Sequence, residues 1–269
     1  STMCYRDEQT GELNLLARTR AFTQDDAHVF CRETQVREEF LKIWDIIETF
    51  YKTFGFDLKI RLSFRDPKLP EKFLGDPDQW QSAENILRAI TKERNVETID
   101  GVGEAAFYGP KLDFMAKDNL GREWQVATIQ LDMNMPENFD LTCINEKGEK
   151  ERIVMIHAAV MGSIERFLSV LIEHYAGAFP VWLAPVQIVV LPIGEKHRAF
   201  AETVVSMFQK NNIRAELDAN DESLGKRVRT AKTQKIPYLL IIGDKEIAAQ
   251  SVSMEHRNTG SLGIQTLEK

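Results

Sequence analysis

The sequence is poor in cysteine and lacks long apolar runs, and both shortages exclude whole classes of protein. Its 269 residues include only Cys4, Cys31 and Cys143, which are too few and too scattered for a disulfide framework. No apolar run reaches the length of a membrane-spanning helix, and the N-terminal STMCYRDEQ lacks the layout of a signal peptide. We therefore expect a cytoplasmic protein that is not associated with a membrane.

Acidic residues outnumber basic ones, and this charge balance is relevant to whether the protein binds a nucleic acid. The net charge of -7 argues against a nucleic-acid partner, because phosphate binding relies on clustered Lys and Arg. Residues 225–235, GKRVRTAKTQK, are a local exception that contains no carboxylate and five basic residues, namely Lys226, Arg227, Arg229, Lys232 and Lys235. Charge alone leaves a solvated helix face and a nucleic-acid contact as equal alternatives for this segment.

The spacing of apolar residues predicts two domains of different character. Apolar residues recur at helical spacing over 36–54, where the pattern ends at Gly55, and again over 77–94. Residues 59–65 alternate like a strand, and residues 106–133 are typical of a hairpin with its turn at Asn119 to Gly121. This pattern indicates an antiparallel α+β body, and residues 152–177 are expected to enter a long apolar helix that ends at Gly177.

Beyond a Pro-rich joint, strands alternate with helices, which predicts a small α/β domain with a parallel or mixed sheet. We place the boundary near Pro185, so that the predicted domains are 1–185 and 186–269.

Residues 4–31, CYRDEQTGELNLLARTRAFTQDDAHVFC, combine charge with apolar alternation. They are typical of a strand, a polar loop and a second strand, with Arg6 on the first strand and Arg18 and Phe22 on the second. The planar guanidinium group suits phosphate or carboxylate because it makes paired, charge-assisted hydrogen bonds. A single such arginine would be explained more simply by an ion pair on a sheet face.

This stretch resembles motif 2 of the class II aminoacyl-tRNA synthetases, and FTQDDAHVFC resembles the threonyl-tRNA synthetases in particular. The segments AFYGPKLDF, WQVATIQLDMNMPENFDL, VMIHAAVMGSIERF and FPVWLAPVQIVVLPI resemble successive segments of that family in the same order. The last module resembles the anticodon-binding domain that the threonyl, prolyl, histidyl and glycyl enzymes share. The resemblance implies ATP-dependent activation of threonine to threonyl-adenylate and transfer to tRNA(Thr), by an enzyme that is a homodimer at full length.

The same resemblance implies roles for individual residues. Arg6 would contact the α-phosphate of ATP and the activated carboxylate, Arg18 the outer phosphates and Arg166 the γ-phosphate, while Phe22 would stack on adenine. Arg6 and Arg166 are the expected catalytic residues, and Mg²⁺ is expected with ATP. Further residues implied around the nucleotide and the amino acid are Ser163, Gln125, Gln130, Tyr108 and Lys111.

Two histidines carry the metal hypothesis. A lone histidine is more often a core residue than a ligand, but the resemblance implies that His28 and His157, with a cysteine, hold Zn²⁺. The open coordination positions of this metal would bind the amino and hydroxyl groups of threonine. An apolar pocket alone would hardly discriminate between threonine and the isosteric valine. Asp26 is expected to bind the same hydroxyl or amino group, while the neighbouring Asp25 faces the opposite way.

Relative to the family, the chain begins inside motif 2. We therefore expect motif 1, which builds the dimer interface, and the zinc cysteine to lie outside it, with neither Cys4 nor Cys31 as a replacement. These 269 residues alone are expected to hold little zinc and to activate threonine negligibly.

In the last module the resemblance implies anticodon contacts from Arg229, Lys235 and Glu246. Glu255 stands where a basic residue is expected, and Asp221 stands where an asparagine is common.

Three classes of function remain open. The ordered motifs favour a threonine-activating enzyme, and the expected N-terminal shortfall favours a non-catalytic tRNA-binding fragment or paralogue. A synthetase for another amino acid is the third alternative, and His28, His157 and Asp26 together argue against it.

Overall fold

The structure is a computed structural model that describes residues 1–118 and 120–267. The chain divides into two compact units between Glu173 and His174. This division describes compact units, so the extent of the two domains, with a boundary near Pro185, stays a prediction. Among the helices of the described residues, none is long and apolar enough to cross a membrane.

The first unit contains an α+β arrangement that ends in a helix. In chain order its elements are β1 (Thr2–Tyr5), β2 (Ala21–Gln24), β3 (Ala27–Arg32), α1 (Val36–Thr53), β4 (Leu58–Phe64), α2 (Pro77–Glu93), β5 (Thr98–Val102), β6 (Lys111–Lys117), β7 (Glu123–Asp132), α3 (Asn134–Asn138), β8 (Thr142–Ile144), β9 (Lys150–Ala159) and α4 (Ile164–His174).

Most of these strands form one large sheet in the order β3-β9-β7-β6-β4-β5, with β8 paired to β9. Neighbouring strands are antiparallel except β4 and β5, which confirms the predicted antiparallel body. The strands β1 and β2 form a separate antiparallel pair.

Helix α1 covers one face of the large sheet. Its buried residues recur at helical spacing and are Val36, Phe40, Ile43, Trp44, Ile47 and Tyr51. The Trp44 ring meets Phe114 of β6 edge to face with centroids 5.3 Å apart, and the Tyr51 hydroxyl donates to the Val126 carbonyl of β7 at 2.9 Å. Since side chains alternate along a strand, the residues on either side of Phe114 point to the opposite face.

The prediction for residues 152–177 needs correction, because the helix in this region is shorter than expected. Residues 150–159 form β9, and the helix begins only at Ile164. The consecutive residues Val154, Met155 and Ile156 of β9 are buried, so both faces of this strand are covered, and such a strand has a nearly continuous apolar sequence that resembles a helical segment. The predicted hairpin corresponds to β6 and β7, and Asn119 of its turn lies outside the described residues.

The β6–β7 hairpin is closed by Asp118, whose side chain is buried. Its carboxylate accepts from the backbone N–H groups of Leu120 and Arg122, from the Arg122 guanidinium and from the Trp124 indole. Burial alone would raise the pKa of this carboxyl, but the hydrogen bonds from Trp124 and Arg122 outweigh it and lower the pKa to about 2.

We expect Asp118→Asn to lower stability only where the carboxylate is charged. The folded-state pKa lies below the ordinary value of 3.8, so the contribution is complete above that value and is lost as the pH falls towards 2. Its size is on the order of 2 kcal/mol, which follows from the difference between the two pKa values. Urea unfolding of wild type and variant at about pH 7 and at about pH 3, where roughly half of the contribution should remain, measures the difference. An equal effect of the substitution at both pH values would contradict this account.

The second unit contains an α/β arrangement. In chain order its elements are β10 (Ile188–Pro192), α5 (Arg198–Lys210), β11 (Ala215–Leu217), α6 (Leu224–Thr233), β12 (Tyr238–Ile242), α7 (Asp244–Ala248), β13 (Ser251–His256) and β14 (Gly260–Thr266). The strand order is β11-β10-β12-β13-β14, with β10 parallel to both neighbours and the remaining pairs antiparallel. The sheet is therefore mixed, as one of the two predicted alternatives requires.

One of the five basic residues of the segment 225–235 is buried in this unit. Arg227 on α6 is only 4% exposed, and its guanidinium donates to the carbonyls of Pro192, Asp218 and Glu222 at 2.7, 2.7 and 3.2 Å. Arg227 therefore ties α6 to the ends of β10 and the loop after β11. Neither a solvated face nor a nucleic-acid contact describes this side chain.

Candidate functional site

Strand register aligns polar residues on the sheet face that α1 leaves uncovered. His28 of β3 opposes His157 of β9, His157 opposes Gln130 of β7, and Gln130 opposes Lys111 of β6. Directly opposed residues share a face of the sheet, so these four form one row across four strands. A second row, two residues further along the strands, consists of Thr128, Asp113 and Arg61.

A β-bulge in β7 adds another polar side chain to this face. Pairing with β6 shifts register so that Val126 is the additional residue, which returns Gln125 to the face of the rows. The freed carbonyls are bonded, since Tyr51 donates to the Val126 oxygen and Arg166 donates to the Gln125 oxygen at 3.2 Å. Gly162 has φ +70°, and a Cβ there would lie 2.7 Å from the Val126 oxygen, so only glycine fits.

A cavity of about 640 Å³ opens over this face. It is lined by nine residues that the sequence singles out, namely Arg6, Arg18, Phe22, Tyr108, Lys111, Gln125, Gln130, Ser163 and Arg166. These residues are spread over the sequence from Arg6 to Arg166, and the fold of the first unit brings them together. A cavity of this size is in the range of small-molecule sites.

The cavity is rich in positive charge at one side. Arg166 donates to the Ala17 carbonyl at 2.8 Å; burial lowers the pKa of its guanidinium, and the nearby Arg18 adds to this effect. Arg18 is held by the carboxylates of Glu8 at 2.8 Å and Glu12 at 3.4 Å. These arginines suit a ligand with several phosphate groups, which would replace the acidic partners of Arg18.

Arg6 and Phe22 provide a flat surface beside these cations. The Arg6 guanidinium lies 5.6 Å from the centroid of the Phe22 ring, and the Phe22 side chain is buried while Arg6 is exposed. An aromatic ring next to a guanidinium favours a planar heterocycle that carries an anion. Ser163 lies just before α4, where its hydroxyl accepts from the backbone N–H of Arg166 at 3.3 Å.

The two histidines lie beside the cavity. Their ring centroids are 4.6 Å apart, and His157 Nε2 is 3.0 Å from the buried Asp132 carboxylate. The Asp26 carboxylate is 3.9 Å from His28 Nε2. Tyr108 joins this group to the cavity, since its ring centroid is 5.2 Å from that of His157 and it also lines the cavity.

The Tyr108 hydroxyl serves as a hydrogen-bond donor in this arrangement. It donates to Gln130 Oε1 at 3.0 Å. Burial raises the pKa of the phenol, and the charges of Asp132 and Asp26 raise it further, so Tyr108 is neutral at physiological pH.

The histidine pair fits part of a zinc site. A carboxylate on one ring nitrogen fixes the tautomer of a metal-binding imidazole, and Asp132 stands in that relation to His157. Within the described part of the chain, no group of three or more His, Cys, Asp or Glu side chains is arranged to hold a metal. Cys31 lines a different cavity, and burial raises its pKa to about 11, so it is a thiol. The two imidazoles therefore need a further ligand.

The adjacent acids Asp25 and Asp26 have different roles. The Asp25 carboxylate accepts from the backbone N–H groups of Val160, Met161 and Gly162 at 2.8, 2.9 and 2.6 Å. Asp25 therefore fixes the turn between β9 and α4, while Asp26 lies near His28.

We expect alanine at these two positions to lower the stability of the protein by different amounts. Asp25→Ala leaves three backbone donors without acceptors and should cost about 2 kcal/mol of unfolding free energy. Asp26→Ala should cost less than about 0.5 kcal/mol, since the Asp26 side chain is 40% exposed. Chemical denaturation of both variants measures this, and similar losses of stability would contradict the assignment.

Several residues of the site are not predicted from the sequence. Asp113 and Asp132 are fully buried carboxylates beneath and beside the cavity, and Glu8 and Thr128 line it. The signal for Asp113 is its position two residues after Lys111 in the apolar strand KLDFMAK, where a charge requires a partner. Asp132 at the end of β7 offers no comparable signal.

The three anticodon candidates differ in their surroundings. Arg229 is exposed on α6. The Lys235 ammonium donates to the Ala176 carbonyl, and Glu246 accepts from the Gly243 N–H at 2.9 Å at the start of α7. The unexpected Glu255 forms an ion pair with Lys232 at 2.5 Å, which offsets one charge of the basic segment.

Two family descriptions match the chain in succession. The "tRNA synthetase class II core domain (G, H, P, S and T)" matches residues 1–175, which is more than half of the sequence. The chain belongs to the class II tRNA synthetase core family. The "Anticodon binding domain" matches residues 187–268. Both parts of the predicted fold class are thereby confirmed.

Individual relatives of this class II synthetase chain are threonine–tRNA ligases. That of Deinococcus deserti is 50% identical over 256 residues, or 94% of this chain and 39% of the relative. That of Caldanaerobacter subterraneus is 47% identical over 266 residues, or 99% of this chain and 41% of the relative. The chain thus spans about two fifths of the length of these relatives.

A solved structure gives the same picture for the fold. The crystal structure of the RNA binding domain of threonyl-tRNA synthetase from Cryptosporidium parvum has a TM-score of 0.90 and 34% identity to this chain. The match covers 99% of this chain and 66% of that one. The resemblance inferred from the ordered motifs is therefore confirmed at the level of the family.

Proposed function

We propose that the full-length protein is a threonine–tRNA ligase, which forms threonyl-adenylate from threonine and ATP and transfers threonine to tRNA(Thr). The observation that carries this proposal is the row His28, His157, Gln130 and Lys111, which leads from a histidine pair into an arginine-lined cavity. Such a row suits an amino acid at one end and a nucleotide at the other.

The cavity residues would bind and orient ATP. Phe22 stacks on adenine, Arg6 contacts the α-phosphate, and Arg18 and Arg166 hold the outer phosphates with Mg²⁺. A carboxylate oxygen of threonine attacks the α-phosphorus, the bond to the bridging oxygen breaks, and pyrophosphate leaves. Arg6 stabilises the charge that develops on the α-phosphate oxygens, and this kind of stabilisation is the main contribution to catalysis of phosphoryl chemistry.

The histidine pair would hold zinc together with one further protein ligand. When bound, the zinc ion supplies open coordination positions to the amino and hydroxyl groups of threonine. Asp26 accepts a hydrogen bond from one of these groups. Tyr108 and Gln130 orient the amino acid, and Lys111 approaches its carboxylate, while Gln125 and Ser163 support the nucleotide side.

The proposal extends to the rest of the protein. The catalytic domain would comprise residues 1–185 and the anticodon-binding domain residues 186–269, with Arg229, Lys235 and Glu246 near the anticodon. The full-length enzyme would be a cytoplasmic homodimer.

Amino-acid-dependent exchange between pyrophosphate and ATP tests the function in the full-length protein. Threonine should support exchange at least about tenfold better than serine, proline or glycine, and about 10⁴-fold better than valine. A clear preference for one of these other amino acids would contradict the proposal.

A further inference from the structure

Asp113 of β6 is a buried carboxylate directly beneath the cavity. Its side chain is 0% exposed, and its Oδ2 accepts from Arg61 Nη2 at 3.0 Å, from Ser63 Oγ at 2.7 Å and from Lys111 Nζ at 3.0 Å. Arg61 and Ser63 belong to β4 and Lys111 lines the cavity. One oxygen therefore links the ammonium group of the cavity wall to the neighbouring strand.

The other oxygen of Asp113 holds two more residues of the cavity wall. Its Oδ1 accepts from Gln125 Nε2 at 2.8 Å and from Thr128 Oγ1 at 2.8 Å. The opposite end of the Gln125 amide, Oε1, accepts from Arg61 at 3.5 Å. Both ends of this amide are thus fixed, and three wall residues on two strands share one carboxylate.

This arrangement requires a carboxylate. Five donors converge on two oxygens, and an asparagine would offer one acceptor oxygen and turn an NH₂ group towards the remaining donors. Asp113 also offsets part of the positive charge of Arg61 and Lys111, with which it forms ion pairs at 3.0 Å. Its removal would therefore alter both the placement and the charge of the wall.

We propose that Asp113 is the positioning residue of the adenylation reaction. It fixes the Lys111 ammonium and the Gln125 amide at the place where the amino-acid carboxylate meets the α-phosphate. The inference rests on the proposed function and deepens it. Asp113 itself stays beneath the wall and acts through Lys111 and Gln125.

The matched control for this inference is Asp118, a second aspartate with a buried side chain on the same hairpin. Asp118 also accepts several hydrogen bonds, but it is not among the residues that line the cavity. In the full-length protein we expect Asp113→Asn to lower kcat for threonine-dependent exchange about 30-fold, and Asp118→Asn less than about threefold. Thermal unfolding of both variants shows whether each is folded at the assay temperature.

A second variant separates position from charge. Asp113→Glu keeps the charge and displaces the oxygens by one methylene group, so a positioning residue should still lose about tenfold or more in kcat. Recovery by glutamate to within about twofold of wild type would assign a charge role alone and overturn the inference.

A double-mutant cycle tests whether Asp113 acts through its two partners. In the Lys111→Ala/Gln125→Ala background, Asp113→Asn should cost about threefold or less, since the groups that it positions are gone. A loss of about 30-fold that persists in this background, or equal losses in Asp113→Asn and Asp118→Asn, would overturn the inference. If wild type activates another amino acid instead of threonine, the threonine proposal fails and the same cycle is measured with that amino acid.

Discussion

Arg6→Ala in the full-length protein is expected to lower kcat/KM for threonyl-adenylate formation by about two orders of magnitude, or on the order of 3 kcal/mol. The contact with the α-phosphate strengthens as charge develops in the transition state, so kcat should fall more than the affinity for ATP. Pyrophosphate exchange measures kcat and KM, and calorimetry measures ATP binding.

The surroundings of Arg6 allow its effect on catalysis to be measured without disturbing the fold. The residue is exposed and its guanidinium makes a cation–π contact with Phe22, so the loss of the side chain should leave the fold intact. Arg37→Ala is the matched control, because Arg37 forms an exposed ion pair with Glu93 and is not part of the cavity wall. Arg37→Ala should keep kcat/KM within about twofold of wild type. An Arg6 variant that is equally active would remove Arg6 from the reaction.

Arg166 is less suited to the same experiment. Its guanidinium donates to the carbonyls of Ala17 and Gln125 in addition to lining the cavity. A loss of activity in Arg166→Ala would therefore combine a missing phosphate contact with a disturbed bulge in β7. The exposed Arg6 separates catalysis from structure where Arg166 does not.

The sequence predicted those parts of the fold whose patterns are local. The apolar spacing of α1 and α2 and the alternation of β4 follow from the periods of helix and strand. The β9 segment misled the helix prediction because a strand that is buried on both faces loses its apolar–polar alternation.

The site was predictable only in part, because its assembly depends on register. Ordered motifs pointed to Arg6, Lys111 and the histidines, but a pattern does not say that His157 opposes both His28 and Gln130. The bulge at Val126 adds a residue without a local signature. The roles of Asp113 and Asp25 arise from contacts across the sheet and with a distant turn, which no period in the sequence encodes.

Two arginines of the second unit also show that sequence alone does not distinguish buried from exposed residues. Arg227 and Arg229 are two residues apart in a basic segment and look equivalent in sequence. In the structure Arg227 is buried against three carbonyl groups, whereas Arg229 is exposed. Charge counting therefore overstates the basic surface available to a nucleic acid, and Arg229 is the better candidate for a contact.

His157→Ala in the full-length protein is expected to remove zinc and threonine activation together. The imidazole faces His28 and is oriented by Asp132, so its loss leaves one histidine of the pair. Zinc content after dialysis should fall to less than about a tenth of wild type, and kcat/KM for threonine should fall about 10³-fold. Elemental analysis and pyrophosphate exchange measure the two quantities on the same preparation.

Valine distinguishes a lost hydroxyl contact from general damage to the site. A site that binds the substrate hydroxyl rejects the analogue without it by about 10⁴ or more, whereas an apolar pocket separates such isosteres by only about 10². His157→Ala should therefore reduce the ratio of threonine to valine activation along with the threonine rate. His256→Ala is the control, because His256 bonds Thr259 in the second unit. Undiminished zinc and an unchanged ratio in His157→Ala would show that the metal hypothesis is wrong, since recognition of the hydroxyl would then depend on other groups.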